Sequence, residues 1–255
     1  MAHRAGYSPQ GGWPECTLES AQRVVETGPA MIEIDLRTTS DGEIVMCHDD
    51  TLDRETTGSG KVAETSYTEI SQLNLVDFVG NRTEFKVRTL DAFLEWSRVG
   101  ALLWLDTKDV NPAKLVAKIR EHKAEARVIV SAYGVEKVRA YRRLAPDLVY
   151  FIPRIPDLGL PTTKSILKNV ADKDRVIGMA GYYVPNIDEA LVMREHDIPA
   201  VLEYSPMDQR LTPQQMHDPP YKNAAAEGFP MMNTDQYATV LKMLGMQDWA
   251  PKRST

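Results

Sequence analysis

Short, continuous apolar runs alternate with longer amphipathic stretches along almost the whole chain. No other feature of the sequence constrains the fold as strongly. Runs at 31–36, 43–47, 102–106, 128–131, 148–152, 176–179, 200–203 and 231–234 read as strands. Several carry no polar alternation, for example Val128-Ile129-Val130 and Leu148-Val149-Tyr150-Phe151-Ile152. Strands read this way when both faces are buried, as in a parallel sheet covered by helices. Between them lie stretches of helical period at 18–26, 90–99, 112–123, 135–144, 164–170, 187–195, 213–227 and 236–244. Pro112 and Pro213 suit a first helical turn, where a missing N–H costs nothing. Asn111 and Thr212 precede them as N-caps. This repetition over 255 residues predicts an α/β fold, a (β/α)8 TIM-type barrel occupying 1–255 as one domain. The chain opens Met1-Ala2-His3-Arg4 with no apolar run ahead of it. A truncated first strand is therefore expected, with a leader removed.

Composition narrows the function classes. The chain is 43% hydrophobic, enough for one sizeable core. The formal net charge of -6 argues against nucleic acid as a partner, because binding a phosphate backbone needs a basic face. No apolar run approaches the roughly 20 residues of a membrane span, so no transmembrane segment is expected. Cys16 and Cys47 are the two cysteines, and they read as buried thiols more readily than as a bridge. The segment 49–88 is rich in Thr, Gly and charge, with one helical piece near Tyr67. It reads as a long excursion over the catalytic face. The tail at 247–255 is polar and is expected to fray.

In a barrel the chemistry sits at the C-terminal ends of the strands. Glu33 and Asp35 are one residue apart, so on a strand they share a face, and Ile32, Ile34 and Leu36 point to the other. Two inward carboxylates repel each other unless a proton or a cation intervenes. Asp106 supplies a third carboxylate from a later strand. An all-oxygen set favours one divalent cation, Mg2+ or Ca2+, over zinc. The alternative is a structural network in which Glu33 and Asp35 pair with Arg37 or Lys108. His3 and His48 each end a strand candidate beside charged neighbours, and histidine serves both halves of a proton relay near neutral pH. His122, His196 and His217 lie in helical or loop contexts and receive no role.

These residues fall within recognisable motifs. Ala2-His3-Arg4-Ala5-Gly6, Pro14-Glu15-Cys16-Thr17-Leu18-Glu19 and Ile32-Glu33-Ile34-Asp35 resemble the glycerophosphodiester phosphodiesterase family. So do the run from His48-Asp49-Asp50 to Gly58-Ser59-Gly60, Leu105-Asp106-Thr107-Lys108 and Asn233-Thr234-Asp235. The likeness is dense from His3 to Gly60 and diffuse from Tyr133 onward. It implies a TIM-type barrel, a divalent metal held by Glu33, Asp35 and Asp106, a catalytic pair of His3 and His48, and Arg4 and Lys108 facing the phosphate. It also implies a small glycerophosphodiester substrate and a secreted or periplasmic setting. The chain departs from the family pattern in Cys16 for Asn, Asp106 for Glu and Ala5 for Gly, and in late strands without Trp.

The chemistry implied is in-line cleavage. The metal neutralises charge on the phosphate oxygens, while Arg4 offers a planar fork and Lys108 a point charge. One histidine deprotonates the nucleophile and the other protonates the leaving oxygen. The nucleophile is read as the glycerol 2-hydroxyl, with a cyclic phosphate opened by water; direct attack by water is the alternative. Two rival functions stand beside this reading. One is a phospholipase D- or C-like lipid headgroup phosphodiesterase, and the other is a non-catalytic barrel that binds glycerophosphodiesters.

Overall fold

The computed structural model describes residues 1–153, 163–169, 173, 175–182, 184–229 and 231–246. Seven strands run parallel in chain order: β1 (Met31–Thr38), β3 (Leu102–Thr107), β4 (Val128–Ser131), β5 (Val149–Ile152), β6 (Val176–Ala180), β7 (Ala200–Glu203) and β8 (Met232–Asn233). Helices α1 (Leu18–Thr27), α3 (Leu90–Trp96), α4 (Pro112–Glu121), α5 (Val135–Leu144), α6 (Thr163–Asn169), α7 (Ile187–Glu195), α9 (Pro219–Ala226) and α10 (Tyr237–Met243) fall between or after the strands. Short helices α2 (Tyr67–Ile70) and α8 (Ser205–Asp208) sit in connections. The polar tail and residue 170, the expected end of α6, lie outside the described residues. Among the described residues no helix is long and apolar enough to cross a membrane.

The seam of the barrel is closed by the chain start. Ala2 is bridged in parallel to Ile32 on one side and Thr234 on the other. Its N–H donates to Met31 O at 2.8 Å, its carbonyl accepts from Glu33 N at 3.0 Å, and His3 N donates to Thr234 O at 3.1 Å. This short stub, β1 and β3 to β8 together line the ring. The stub keeps the strand alternation: Ala2 faces the helices with the main core, and Met1 packs with the interior residues Trp104, Phe151 and Met179. The expected truncated first strand is thus held on both sides, and His3 with it.

One expected strand has a different place. The run 43–47 becomes β2 (Ile44–Met46), antiparallel to β1 in the register Leu36 with Met46 and Thr38 with Ile44. It forms a hairpin arm outside the ring and not a parallel stave. A parallel crossover needs a dozen or more residues, and β1 ends at Thr38 only six positions before Ile44. Asp41 and Gly42, the latter at φ 83°, make the turn.

Capping bears out one expected helix start and moves another. Asn111 accepts from Ala113 N and Lys114 N, with Pro112 as the first residue of α4. Thr212 and Pro213 lie in a turn, and α9 starts at Pro219. Pro219 and Pro220 both lack an N–H, so a helix begun at Pro213 could not run through them. The excursion after β2 builds a small core of its own from Val45, Cys47, Leu52, Val62, Ile70, Leu75 and Val87. Both cysteines are free and buried.

Candidate active site

β1 and β3 are aligned so that Glu33 lies beside Trp104 and Asp35 beside Asp106. Period-two alternation sends these four side chains inward, while Ile32, Ile34 and Leu36 are fully buried in the layer under the helices. Carboxylate oxygens of Glu33, Asp35 and Asp106 lie within 4.8 Å of one another. Lys108, two residues beyond Asp106, reaches back to Asp35 at 2.8 Å and Asp106 at 2.5 Å. Burial opposes ionisation of Asp35, but Lys108 outweighs it and holds Asp35 well below the usual carboxylate range. Burial and the adjacent Asp35 push Glu33 up to about 8. A buried carboxylate crowded by a second one, with all-oxygen donors, fits a hard divalent cation. The expected ligand set is thus assembled in one place, with Lys108 inside it.

His3 and Arg4 leave the stub through an unusual backbone. Arg4, Ala5 and Gly6 have φ of 47°, 61° and 73°, a left-handed run that is costly for residues with a Cβ. At Gly6 a Cβ would sit 2.2 Å from Val24 Cγ2, so any side chain there would push Val24 aside as well as straining the backbone. The turn aims Arg4 N at Glu33 Oε2, 2.6 Å away, and the guanidinium at Glu15 Oε2, 2.9 Å away. Ala5, where the family has Gly, adopts this conformation with its methyl buried.

The two histidines are held in opposite proton states. Arg4 Nη2 lies 2.9 Å from His48 Nε2. Arginine only donates, so His48 Nε2 carries a lone pair, and its Nδ1 proton goes to Asp49 Oδ1 at 2.7 Å. Burial pushes His48 below its ordinary value, with Arg4 and Lys108 repelling a second charge. His3 Nδ1 is 2.6 Å from Asp235 Oδ1, and His3 Nε2 is 4.0 Å from Glu33. Burial alone would lower His3, but Asp235 and Glu33 outweigh it and raise His3 to about 9.

The loop after His48 folds back to fix it. Glu55 accepts from His48 N at 3.1 Å and from Asp49 N at 2.7 Å. Arg54 bonds Asp49 at 2.6 Å and Glu15 at 2.5 Å. Arg37 holds His48 O at 2.8 Å. His3, Arg4, Glu33, His48, Asp106 and Lys108 line one cavity of about 300 Å³, with Asp35 directly behind Lys108.

Sequence reasoning assigned no part to several residues placed here. Tyr133 donates to both oxygens of Asp106, at 2.6 and 2.8 Å. It lies two residues after β4, at the end of the barrel where the chemistry sits. Glu15, Arg54 and Asp235 stood inside recognised motifs with no assigned work. Glu203 lines the cavity and bonds to the neutral partners Ser205 and Asn233.

A sequence model described as the glycerophosphoryl diester phosphodiesterase family matches residues 3–153. The chain belongs to that family. A glycerophosphodiester phosphodiesterase of Caldanaerobacter subterraneus subsp. tengcongensis is 31% identical over 147 residues, covering 53% of this chain and 59% of that protein. The aligned part is less than two thirds of that relative. A glycerophosphoryl diester phosphodiesterase from Parabacteroides distasonis has a similar structure, with a TM-score of 0.83 and 24% identity over 99% of this chain and 88% of that one. A phosphodiesterase from Oleispira antarctica, solved with its product sn-glycerol-3-phosphate, gives 0.71 and 18%, over 96% of this chain and 95% of that one. At these identities the structural likeness is one of fold.

Proposed function

We propose that this chain hydrolyses glycerophosphodiesters to glycerol 3-phosphate and an alcohol, with His48 as base and His3 as acid. The observation that carries the reading is the pair of histidines in opposite proton states facing one cavity beside a three-carboxylate cluster. Family membership and the product named for the Oleispira antarctica protein support the choice of substrate.

Glu33, Asp35 and Asp106 would hold one divalent cation, Mg2+ or Ca2+, which when bound neutralises charge on the phosphate oxygens. The chain's own groups do the rest. An incoming phosphate draws the Arg4 fork onto its oxygens, and this uncovers the Nε2 lone pair of His48. His48 takes the proton of the attacking hydroxyl as its oxygen bonds to phosphorus. The bond to the alcohol oxygen breaks, and His3 Nε2–H gives that oxygen a proton, leaving neutral His3 tied to Asp235. Attack by the glycerol 2-hydroxyl requires a second step, in which water opens the cyclic phosphate with the two histidines exchanging roles. Each proton transfer is worth roughly 10²–10⁴-fold. Accordingly His48→Ala and His3→Ala should each lose at least about a hundredfold in kcat while melting within a few degrees of the parent. Turnover near the parental rate in either folded variant contradicts the assignment.

A further inference from the structure

We propose that Glu203 and Asn233 form an acceptor subsite for the leaving alcohol, one that selects alcohols carrying hydroxyl or N–H groups over trimethylated ones. The inference rests on the diesterase reading above and extends it to the class of alcohol released.

Glu203 ends β7 and Asn233 ends β8, paired side by side. Both are more than nine-tenths buried, yet both line the catalytic cavity. Asn233 Nδ2 donates to Glu203 Oε2 at 3.0 Å. Asn233 Oδ1 has no hydrogen-bond partner among the described residues. A buried amide oxygen left in that state is costly, and it calls for a ligand or water that donates to it. Glu203 Oε1 is occupied by Ser205 N at 2.9 Å and Ser205 Oγ at 2.5 Å, whereas among the described residues Oε2 receives only the Asn233 amide, at 3.0 Å. A carboxylate oxygen has room for a second donor. The pair therefore offers two acceptors, Asn233 Oδ1 and Glu203 Oε2, beside the second N–H of the Asn233 amide.

The position of the pair says which end of the substrate it meets. Asp235, which orients His3, follows Asn233 by two residues, and His3 N is bonded to Thr234 O between them. Asn233 and Glu203 thus flank the histidine that protonates the leaving oxygen, on the side of the ring away from the β1 and β3 carboxylates. On another wall Trp104 meets Phe151 edge-on at 4.2 Å, with Met179 beside them. The Trp104 N–H is already given to Ser131 Oγ, so this wall is apolar. An apolar wall for a short carbon skeleton together with acceptors for its polar groups suits a polyol or an amino alcohol. A trimethylammonium group has no N–H to offer either acceptor.

The test compares kcat/KM for glycerophosphoethanolamine, glycerophosphoglycerol and glycerophosphocholine at one fixed cation concentration. The first two should exceed the third by about tenfold or more, since a site built around hydrogen bonds discriminates against groups that lack the donor. In Asn233→Leu, checked for folding by its melting curve, the ratio should fall toward one. Should that variant fail to fold, inhibition of the unmodified enzyme by free ethanolamine, glycerol and choline reads the same preference, and choline should be the weakest. Choline equal to or better than the others in either assay overturns the subsite, as does a folded Asn233→Leu with its ratio unchanged. Turnover of all three diesters without preference leaves the diesterase reading standing and removes the subsite, whereas no turnover of any of them removes both.

Discussion

The proton states of the two histidines follow from burial and from the charges beside each ring, and those neighbours make them testable. As the proposed base, His48 has to be neutral, so the acid limb of the rate profile should lie below its ordinary 6.5, where burial holds it. As the proposed acid, His3 has to be protonated, so the alkaline limb should lie near 9. The same raised value gives a stability contribution fully present below 6.5 and lost as pH rises through about 9. Asp235→Asn removes the main attraction that outweighs burial at His3. It should move the alkaline limb of kcat/KM down by at least one pH unit; an unmoved limb means that His3 is not the acid. Tyr133 gives a second test at this scale. Its hydroxyl donates to both oxygens of Asp106, the proposed ligand, one methylene shorter than Glu. Tyr133→Phe should weaken cation binding by about 10- to 100-fold, read by calorimetric titration, with the melting temperature little changed. The residues with charge at strand ends were legible in the sequence, because an i, i+2 pair on a strand shares a face. Tyr133 was not, because a lone tyrosine after a strand looks the same in sequence whether it supports a ligand or packs a loop.

At the scale of elements, seven of the eight expected strands join the parallel ring close to their expected bounds. The exception, β2, shows a limit of composition. Ile44-Val45-Met46 is as apolar as any buried parallel strand, and only the shortness of its link to β1, with Asp41-Gly42 inside, marks a hairpin. Thr212-Pro213 failed as a helix start for a comparable reason: the stronger signal lay downstream, at Pro219-Pro220. The stub at Ala2 is the expected truncated first strand, but its bridges to Ile32 and Thr234 were beyond sequence reading, since a bridge of one residue has no period. Its bonds also carry His3. Ala2→Pro deletes the N–H that donates to Met31 O at 2.8 Å and leaves that carbonyl unpaired. It should cost about 1–3 kcal/mol, seen as a lower denaturation midpoint, and should reduce kcat through the displaced acid. A variant as stable and as active as the parent contradicts the role given to the stub.

Across the whole molecule, the ring brings together residues from both ends of the chain. His3 and Asp235 are 232 positions apart and 2.6 Å distant. The dense motifs from His3 to Gly60 made the carboxylates, the histidines and their loop legible, but not the spatial links that give each a task. The later half was legible only as alternating elements, and the pocket wall at Glu203 and Asn233 came from the fold. The proposed hydrolysis depends on a cation among Glu33, Asp35 and Asp106. The most direct measurement follows a glycerophosphodiester by phosphorus NMR with the purified protein, first with Mg2+ or Ca2+ and then with excess EDTA. Glycerol 3-phosphate should accumulate with cation, stop with EDTA and resume when cation is restored. Continued turnover in EDTA, or no glycerol 3-phosphate with either cation, contradicts it.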